Sequence, residues 1–504
     1  MNGENGLYEL PKGWVWIKLK RIGEVITGTT PSKKDSKNYG DYIPFVKPPQ
    51  LNDCIISEAK DKLSKKGVSL ARILPPNSVL VSCIGILGKT GITKIPIAFN
   101  QQINAIIFLE SILPKYGFYY FQTLEIKRWL YRIASATTIP IVNKSKFETT
   151  PIALSPFQEQ QRIVSKIEEL FTNLDAGKSA LTQIKKQLKN YRQSLLKYAF
   201  EGKLTEKWRK TYEDELEPAS VLLEKIKEEQ KNNEKGKKRI YKENSVDDSK
   251  LYELPEGWVW IYFNEIIHKS QNGFSKRFSD IGILTPVIRL ANIHNHKINA
   301  EDIRSIKMSK NEREKYLLKK KDILLIRVNG TKELVGSANM FNLDGDFAFC
   351  DHFIRYSLWK DYIIVKYISS YLNTKFIRKY INSRIVSTAG QNTINQKNFG
   401  NLPIPLPPFL EQKQIMEILE QKFSIIDELE KITEINLMKA KRLRQSILKK
   451  AFKGSLVPQD TTDEPAHLLL ERIKAQKDKE KNNKRKSKKN RTDSNQTRLI
   501  DYDK

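Results

Sequence analysis

Hydrophobic positions along the 504-residue chain change period in the same order in each half. Short β-branched and aromatic runs bounded by Gly, Pro and Asn, such as Ser78 to Gly85 and Asp322 to Gly330, predict strands. Stretches from Tyr116 and from Tyr362 place aromatics on one face and Lys/Arg on the other, which predicts helices packed on those strands. Beyond Pro156 the period becomes a heptad carried by Ile163, Ile167, Leu170, Leu174, Leu181, Ile184, Leu188, Tyr191 and Leu195, interrupted at Gly177. The second half repeats this seam with Ile415, Leu419, Ile426, Leu429, Ala440, Leu443 and Ile447; Lys422, Thr433 and Asn436 break it. Each heptad run opens at Pro-Phe-x-Glu-Gln and stops at Gly202 or Gly454. About 43 residues at ~1.5 Å each predict a helix of roughly 65 Å. Two such helices, each with one apolar stripe, are expected to cover each other's seam.

The chain contains itself twice. LYELPKGWVWI from Leu7 matches LYELPEGWVWI from Leu251 at ten of eleven positions. PIALSPFQEQQRIVSKIEELF from Pro151 echoes PIPLPPFLEQKQIMEILEQKF from Pro403. RQSLLKYAFEGKL from Arg192 echoes RQSILKKAFKGSL from Arg444, and EPASVLLEKIK from Glu217 echoes EPAHLLLERIK from Glu464. These repeats set the organisation: a globular block over 1–155, a long helix over 156–204, a short helix and charged linker over 205–250, a second block over 251–407, a second long helix over 408–456, a short helix over 457–476 and a basic disordered tail over 477–504. Between the opening and Pro-rich motifs only a skeleton persists, including Pro44 to Lys47 against Pro286 to Arg289 and Asn143 with Phe147 against Asn395 with Phe399. A shared frame with divergent surface suggests two readers of different objects.

Composition narrows the function. The chain carries 88 Lys+Arg against 58 Asp+Glu, a formal charge of +30. Lys474 to Arg491 holds ten Lys/Arg and two acids, so subtracting +8 leaves +22 on the remainder, which points to a polyanionic partner. Cys54, Cys83 and Cys350 lie far apart, with neither a disulfide framework nor a zinc spacing. No apolar run approaches a membrane span, and a reducing cytoplasm is the expected location. Enzyme motifs are not expected: Gly85 to Thr90 resembles a P-loop, but Cys83 stands where its first glycine belongs, and no GxSxG, HExxH or GxGxxG occurs. His294-x-His296 lacks companions for a metal site, and Asp41 with Glu58-x-Lys60 is too loose for a nuclease set. Trp14, Trp16, Trp258 and Trp260 read as core anchors of the opening strands rather than stacking platforms.

A block opening with L-P-x-G-W and closing with a Pro-rich x-x-E-Q exit, then a heptad helix ending R-x-S-[IL]-L-x-x-A-F-x-G-x-L, all tandemly repeated from Leu7 to about Lys474, resembles the specificity subunit of type I restriction–modification enzymes. The resemblance implies an α+β chain: two tandem α/β target recognition domains alternate with two long helices that pair as an antiparallel coiled coil, in a pseudo-twofold repeat. It implies that each block reads half of a bipartite site in double-stranded DNA, and that the helices set the spacing and dock two methylation subunits, which restriction subunits join. The chain itself would be non-catalytic, with S-adenosylmethionine, Mg²⁺ and ATP on the partners. A non-catalytic coiled-coil scaffold that binds proteins rather than DNA is the alternative. Base readout needs side chains of suitable reach and polarity. The candidates are Lys47, Gln50, Lys89, Gln101, Gln102, Asn143, Lys144 and Lys146 in the first block. In the second they are Arg289, Asn292, His294, Arg327, Asn329, Lys332, His352, Gln391, Asn392 and Gln396.

Overall fold

The structure, a computed structural model, describes residues 8–135, 138–233, 251–294 and 297–475. Most of the charged linker, the basic tail and His296 lie outside the described residues. The backbone divides into two compact units, one formed by Met1–Leu181 with Glu434–Lys504 and the other by Thr182–Thr433. Each unit therefore takes one globular block, the start of the long helix that follows it and the end of the other long helix. The long helices run Phe157–Phe200 and Phe409–Phe452, each beginning at the predicted motif.

In the first unit one sheet has the strand order Gly23–Thr27, Ile103–Phe108, Val79–Ser82, Thr90–Thr93, Cys54–Ile56. A second has the order Asp61–Leu63, Tyr39–Val46, Ile97–Phe99, Ile73–Leu74. The second unit repeats this plan, with Ile267–Asn272, Phe353–Leu358, Ile323–Ile326 and Ala338–Met340 in one sheet and Arg304–Met308, Ile283–Ile288 and Ala348–Phe349 in the other. Val79–Ser82 and Ile323–Ile326 are buried at every residue. Covered on both faces, they read in the sequence as unbroken apolar runs rather than alternation. The opening strands Val15–Lys18 and Val259–Tyr262 pair antiparallel with the Pro-rich exits Pro151–Leu154 and Pro403–Leu406. Entry and exit of each block are thereby tied at the root of its long helix.

The repeated motifs act as ties within each unit. Trp14 donates its indole N–H to Glu159 at 2.8 Å, and Trp258 does the same to Glu411 at 2.8 Å. Trp16 and Trp260 donate to the carbonyls of Tyr8 and Tyr252. Those tyrosines donate in turn to Phe452 O at 2.6 Å and Phe200 O at 2.8 Å, which holds the end of a long helix against the block. The Phe452 ring packs edge-on against Tyr116 and Tyr120, as Phe200 does against Tyr367 and Tyr371. The short helices close the arrangement: Ala219 N donates to Gly257 O and Ala466 N to Gly13 O, both at 2.9 Å. The helix over residues 466–475 buries Leu469 and Ile473 in the core of the first block.

Helix pairing is antiparallel within the units. Arg444 lies 3.8 Å over the Phe171 ring and bonds Asp175 at 3.3 Å; its repeat equivalent Arg192 lies 4.8 Å over Phe423 and bonds Asp427. Of the seam residues, Ile163, Ile167, Leu195, Ile415, Leu419 and Ile447 are buried near the helix ends and Ile426 nearer the middle. Elsewhere the seam opens. Leu170, Leu174, Leu181, Leu188 and Ala440 are half-buried, whereas Ile184, Tyr191, Leu429 and Leu443 are at least 41% exposed, against the expectation of a continuous buried stripe. Small residues explain part of this. A groove of about 580 Å³ runs past Leu174, Gly177, Leu181, Ala440 and Leu443, and nothing lies within 4 Å of a Cβ placed on Gly177.

Candidate nucleic-acid interface

Parallel strand pairs bring the polar candidates to one edge of each block. In the first, Tyr39–Val46 runs parallel to Ile97–Phe99, so Lys47 and the Asn100 to Gln102 turn leave the sheet on the same side. Asn100 N donates to Val46 O at 2.9 Å, Cys83 N to Gln102 O at 2.8 Å and Val142 N to Cys83 O at 2.8 Å. This framework gathers Lys47, Gln50, Gln101, Gln102 and Asn143, with Lys144 and Lys146 on the short helix that Asn143 caps by accepting from Lys146 N at 2.9 Å. Lys89 borders the same edge through Ser82 N, which donates to its carbonyl at 2.9 Å. The glycine turn before it closes on itself, since Lys89 N donates to Ser82 Oγ at 2.9 Å; the P-loop resemblance ends there.

The second block builds the same edge with different side chains. Cys350 N donates to Ile288 O at 3.0 Å, Arg327 N to His352 O at 2.7 Å and Ile394 N to Arg327 O at 3.0 Å. Here the edge grows into a ladder of Val328–Asn329, Gln391–Thr393 and Val386–Thr388, in which Asn329 faces Asn392. Among the described residues of the first block, the same position holds single bridges from Ile141 to Ile84 and Ser135. Arg289, Arg327, Asn329, His352, Gln391, Asn392 and Gln396 come together here, Lys332 starts the turn after Asn329, and exposed His294 faces Lys297 in a separate hairpin.

Several candidates already have partners. Lys47 bonds Asp61 at 2.6 Å, and Gln50 accepts from Lys47 N at 2.8 Å. Gln101 accepts from the Thr30 hydroxyl, and Gln396 donates to Asn272 at 2.9 Å. Asn392 donates to Gly330 O at 2.9 Å and accepts from Ser387 Oγ at 2.6 Å. Asn292 corrects the sequence expectation: it is 3% exposed, accepts from Arg289 N at 3.0 Å and donates to Asp302 O at 3.2 Å. Its amide shapes the turn that aims Arg289 and presents no edge outward.

Sequence reasoning missed Asp351 and Arg277. Arg277 grips the Asp351 carboxylate with both terminal nitrogens, at 3.0 and 3.3 Å, and Asp351 lies 3.2 Å from His352 Nδ1. Cys350, Asp351 and His352 offer ligand atoms within 4.8 Å of one another. The carboxylate already has its counter-charge in Arg277, and burial pushes the Cys350 thiol up, so the group fits a positioned histidine better than a cation site. Burial likewise pushes Cys83 up to about 12. Among the described residues, no helix is long and apolar enough to cross a membrane.

A duplicated frame that presents unlike polar edges defines a class of protein with two distinct contact surfaces built on one repeated plan. Residues 11–189 and 224–440 match the type I restriction modification DNA specificity domain, and the chain belongs to that family. It is 28% identical over 487 residues to the type I restriction enzyme StySPI specificity subunit of Salmonella potsdam, covering 93% of this chain and 96% of that protein. It is 26% identical over 492 residues to the EcoKI specificity subunit of Escherichia coli (strain K12), with 93% and 96% covered. A chain solved in work on complex assembly and conformational transition of the type I R-M system shares the fold, with a TM-score of 0.65 at 19% identity, covering 89% of this chain and all of that one. These likenesses carry the DNA-specificity reading over the protein-binding scaffold.

Proposed function

We propose that this chain is the DNA sequence-specificity subunit of a type I restriction–modification complex, each block reading one half of a bipartite site in double-stranded DNA. Its long helices set the gap between half-sites and dock two methylation subunits, to which restriction subunits add. The chain contributes no active site. S-adenosylmethionine, Mg²⁺ and ATP act on the partner subunits, and the complex works in the cytoplasm. One observation carries the reading: the backbone bonds of the reading edge are the same in both blocks, Cys83 N to Gln102 O and Arg327 N to His352 O, while the side chains they present differ. Selection on base edges changes side chains and leaves the frame that aims them. The test is exchange of the first block, Leu7 to Ser155, for that of a related subunit, with methylated positions read by sequencing in cells that supply the methylation subunit. One half of the site should change. A change in both halves, or in neither, would refute the modular reading.

A further inference from the structure

The loop that joins Ile267–Asn272 to Ile283–Ile288 in the second block is braced from several sides, yet it displays its apolar side chains. Phe274 N donates to Phe349 O at 2.8 Å and Asp351 N to Phe274 O at 3.0 Å, which fixes one end. Gly282 fixes the other at φ 114°, where a Cβ would lie 2.2 Å from Met308 O. Between them Arg304 donates to Arg277 O at 2.9 Å, Lys307 to Asp280 O at 3.3 Å, and Lys276 bonds Glu312 at 2.7 Å. On this pinned backbone Phe278 is 71% exposed and Ile281 81%, followed by Ile283 at 57% and Leu284 at 64%. Clustered apolar exposure on a held backbone marks a contact surface.

We propose that Phe278, with Ile281 beside it, is a wedge that enters a base step of the half-site read by the second block. The proposal rests on the DNA-reading function and adds a specificity-determining residue to it. Two observations select duplex DNA as the occupant. Arg277 pairs with Asp351, the neighbour of His352, so the loop borders the reading edge. Arg304 and Lys307 bond the loop carbonyls of Arg277 and Asp280 on either side of Phe278 and bring positive charge suited to phosphates to the apolar tip, whereas Lys276 and Arg277 are paired with Glu312 and Asp351. An apolar side chain between cations opens a base step and lets the protein sense how easily that step unstacks. Among the described residues of the first block Ile86 is 64% exposed and Tyr42 61%, the latter with the Lys65 ammonium 5.7 Å from its ring centre, and neither reaches the exposure of Phe278 and Ile281. The wedge is accordingly assigned to the half-site read by the second block.

The test uses the full chain assembled with its methylation subunit and a duplex of the cognate site, in which a fluorescent adenine analogue quenched by stacking is placed position by position. Wild type should brighten one position in one half-site several-fold. Phe278→Ala should leave that position dark, weaken cognate binding about tenfold and spare binding to unrelated DNA; Phe278→Leu should restore part of the signal. Because Phe278 is largely exposed, the variants should keep the wild-type urea midpoint. A signal that persists in Phe278→Ala, or no bright position with specifically bound wild type, overturns the wedge. Loss of the methylation subunit with DNA binding intact makes the loop a protein contact and also overturns it. Absence of any site preference in wild type defeats the DNA-reading function itself.

Discussion

Glu411 offers the sharpest test of how the second unit is held together. Its carboxylate is fully buried and accepts from Trp258 Nε1 at 2.8 Å, Thr205 Oγ1 at 2.6 Å and Arg209 Nε at 3.0 Å. It joins the opening strand, the segment after the first long helix and the first turn of the second. Glu411→Ala leaves three donors without an acceptor and Arg209, 16% exposed, without a counter-charge. Breaking one side of a buried ion pair costs about 3–5 kcal/mol. Glu411→Gln keeps the shape and an acceptor but loses the charge-assisted bond, for about 1.5–3 kcal/mol. The exposed pair Lys320–Asp344, at 55% and 89% side-chain exposure, is the control: Asp344→Ala should change stability by less than about 0.5 kcal/mol. Urea unfolding of the full chain followed by indole fluorescence reads all three, since Trp258 itself loses its acceptor. A loss below about 1 kcal/mol in Glu411→Ala, or one equal to the control, would refute the hub.

The equivalent Glu159 accepts from the neutral Trp14 and Gln459, and burial raises its pKa above the ordinary 4.5. The folded state then holds this proton more tightly than the unfolded chain, so its contribution to stability falls as pH rises from about that ordinary value through the raised one. Glu159→Gln removes the effect, and its melting temperature relative to wild type should become more favourable between about pH 4 and pH 7; a constant difference would contradict this. For the stacked arginines, Arg192→Ala should cost about 1 kcal/mol and Arg192→Lys nearly as much, while removing the half-exposed Asp427 costs less than about 0.5 kcal/mol, all measured by urea titration. Equal losses for Arg192→Lys and Asp427→Ala would place the energy in the ion pair. Gly177→Ala, with open space around the new methyl, should stabilise by roughly 0.5–1 kcal/mol through helix propensity, and a destabilised variant would show that the groove needs the glycine.

The duplicated motifs make the architecture legible in the sequence itself, because a repeat in sequence is a repeat in packing. Helix starts at Phe157 and Phe409, the strands Val79–Ser82 and Ile323–Ile326, and the tryptophan anchors all follow from local pattern. The ties themselves were not legible: Tyr8 bonds a carbonyl 444 residues away, and no periodicity names such a partner. The seam was overread, since a heptad reports an apolar stripe and not what covers it; Ile184 and Leu443 keep the pattern while facing solvent. The convergence of polar candidates on one edge of each block is legible in part, because residues after strands and before the Pro-rich exit meet where the strands run parallel. Asn292 was misplaced because its side-chain bond to the backbone three residues earlier leaves little mark in composition. Asp351 carried a signal, lying next to His352, that charge counting passes over.

The tie between Tyr8 and Phe452 bears on how the polypeptide matures on the ribosome. Everything the second unit needs lies between Thr182 and Thr433, so it can close while translation continues. The first block emerges earlier but must wait for Phe452, Gln459 and the helix over residues 466–475 before its tyrosine, glutamate and glycine ties are met. At roughly 5–20 residues per second, the interval from Tyr8 to Phe452 is about 20–90 s. For the part of that time that follows synthesis of Tyr116 and Tyr120, the apolar groove meant for Phe452 stands open in the earlier-made block. The later-made half is thus the first to become complete, and slowed translation near the second long helix prolongs the period in which the first block is vulnerable to proteases and in need of chaperones.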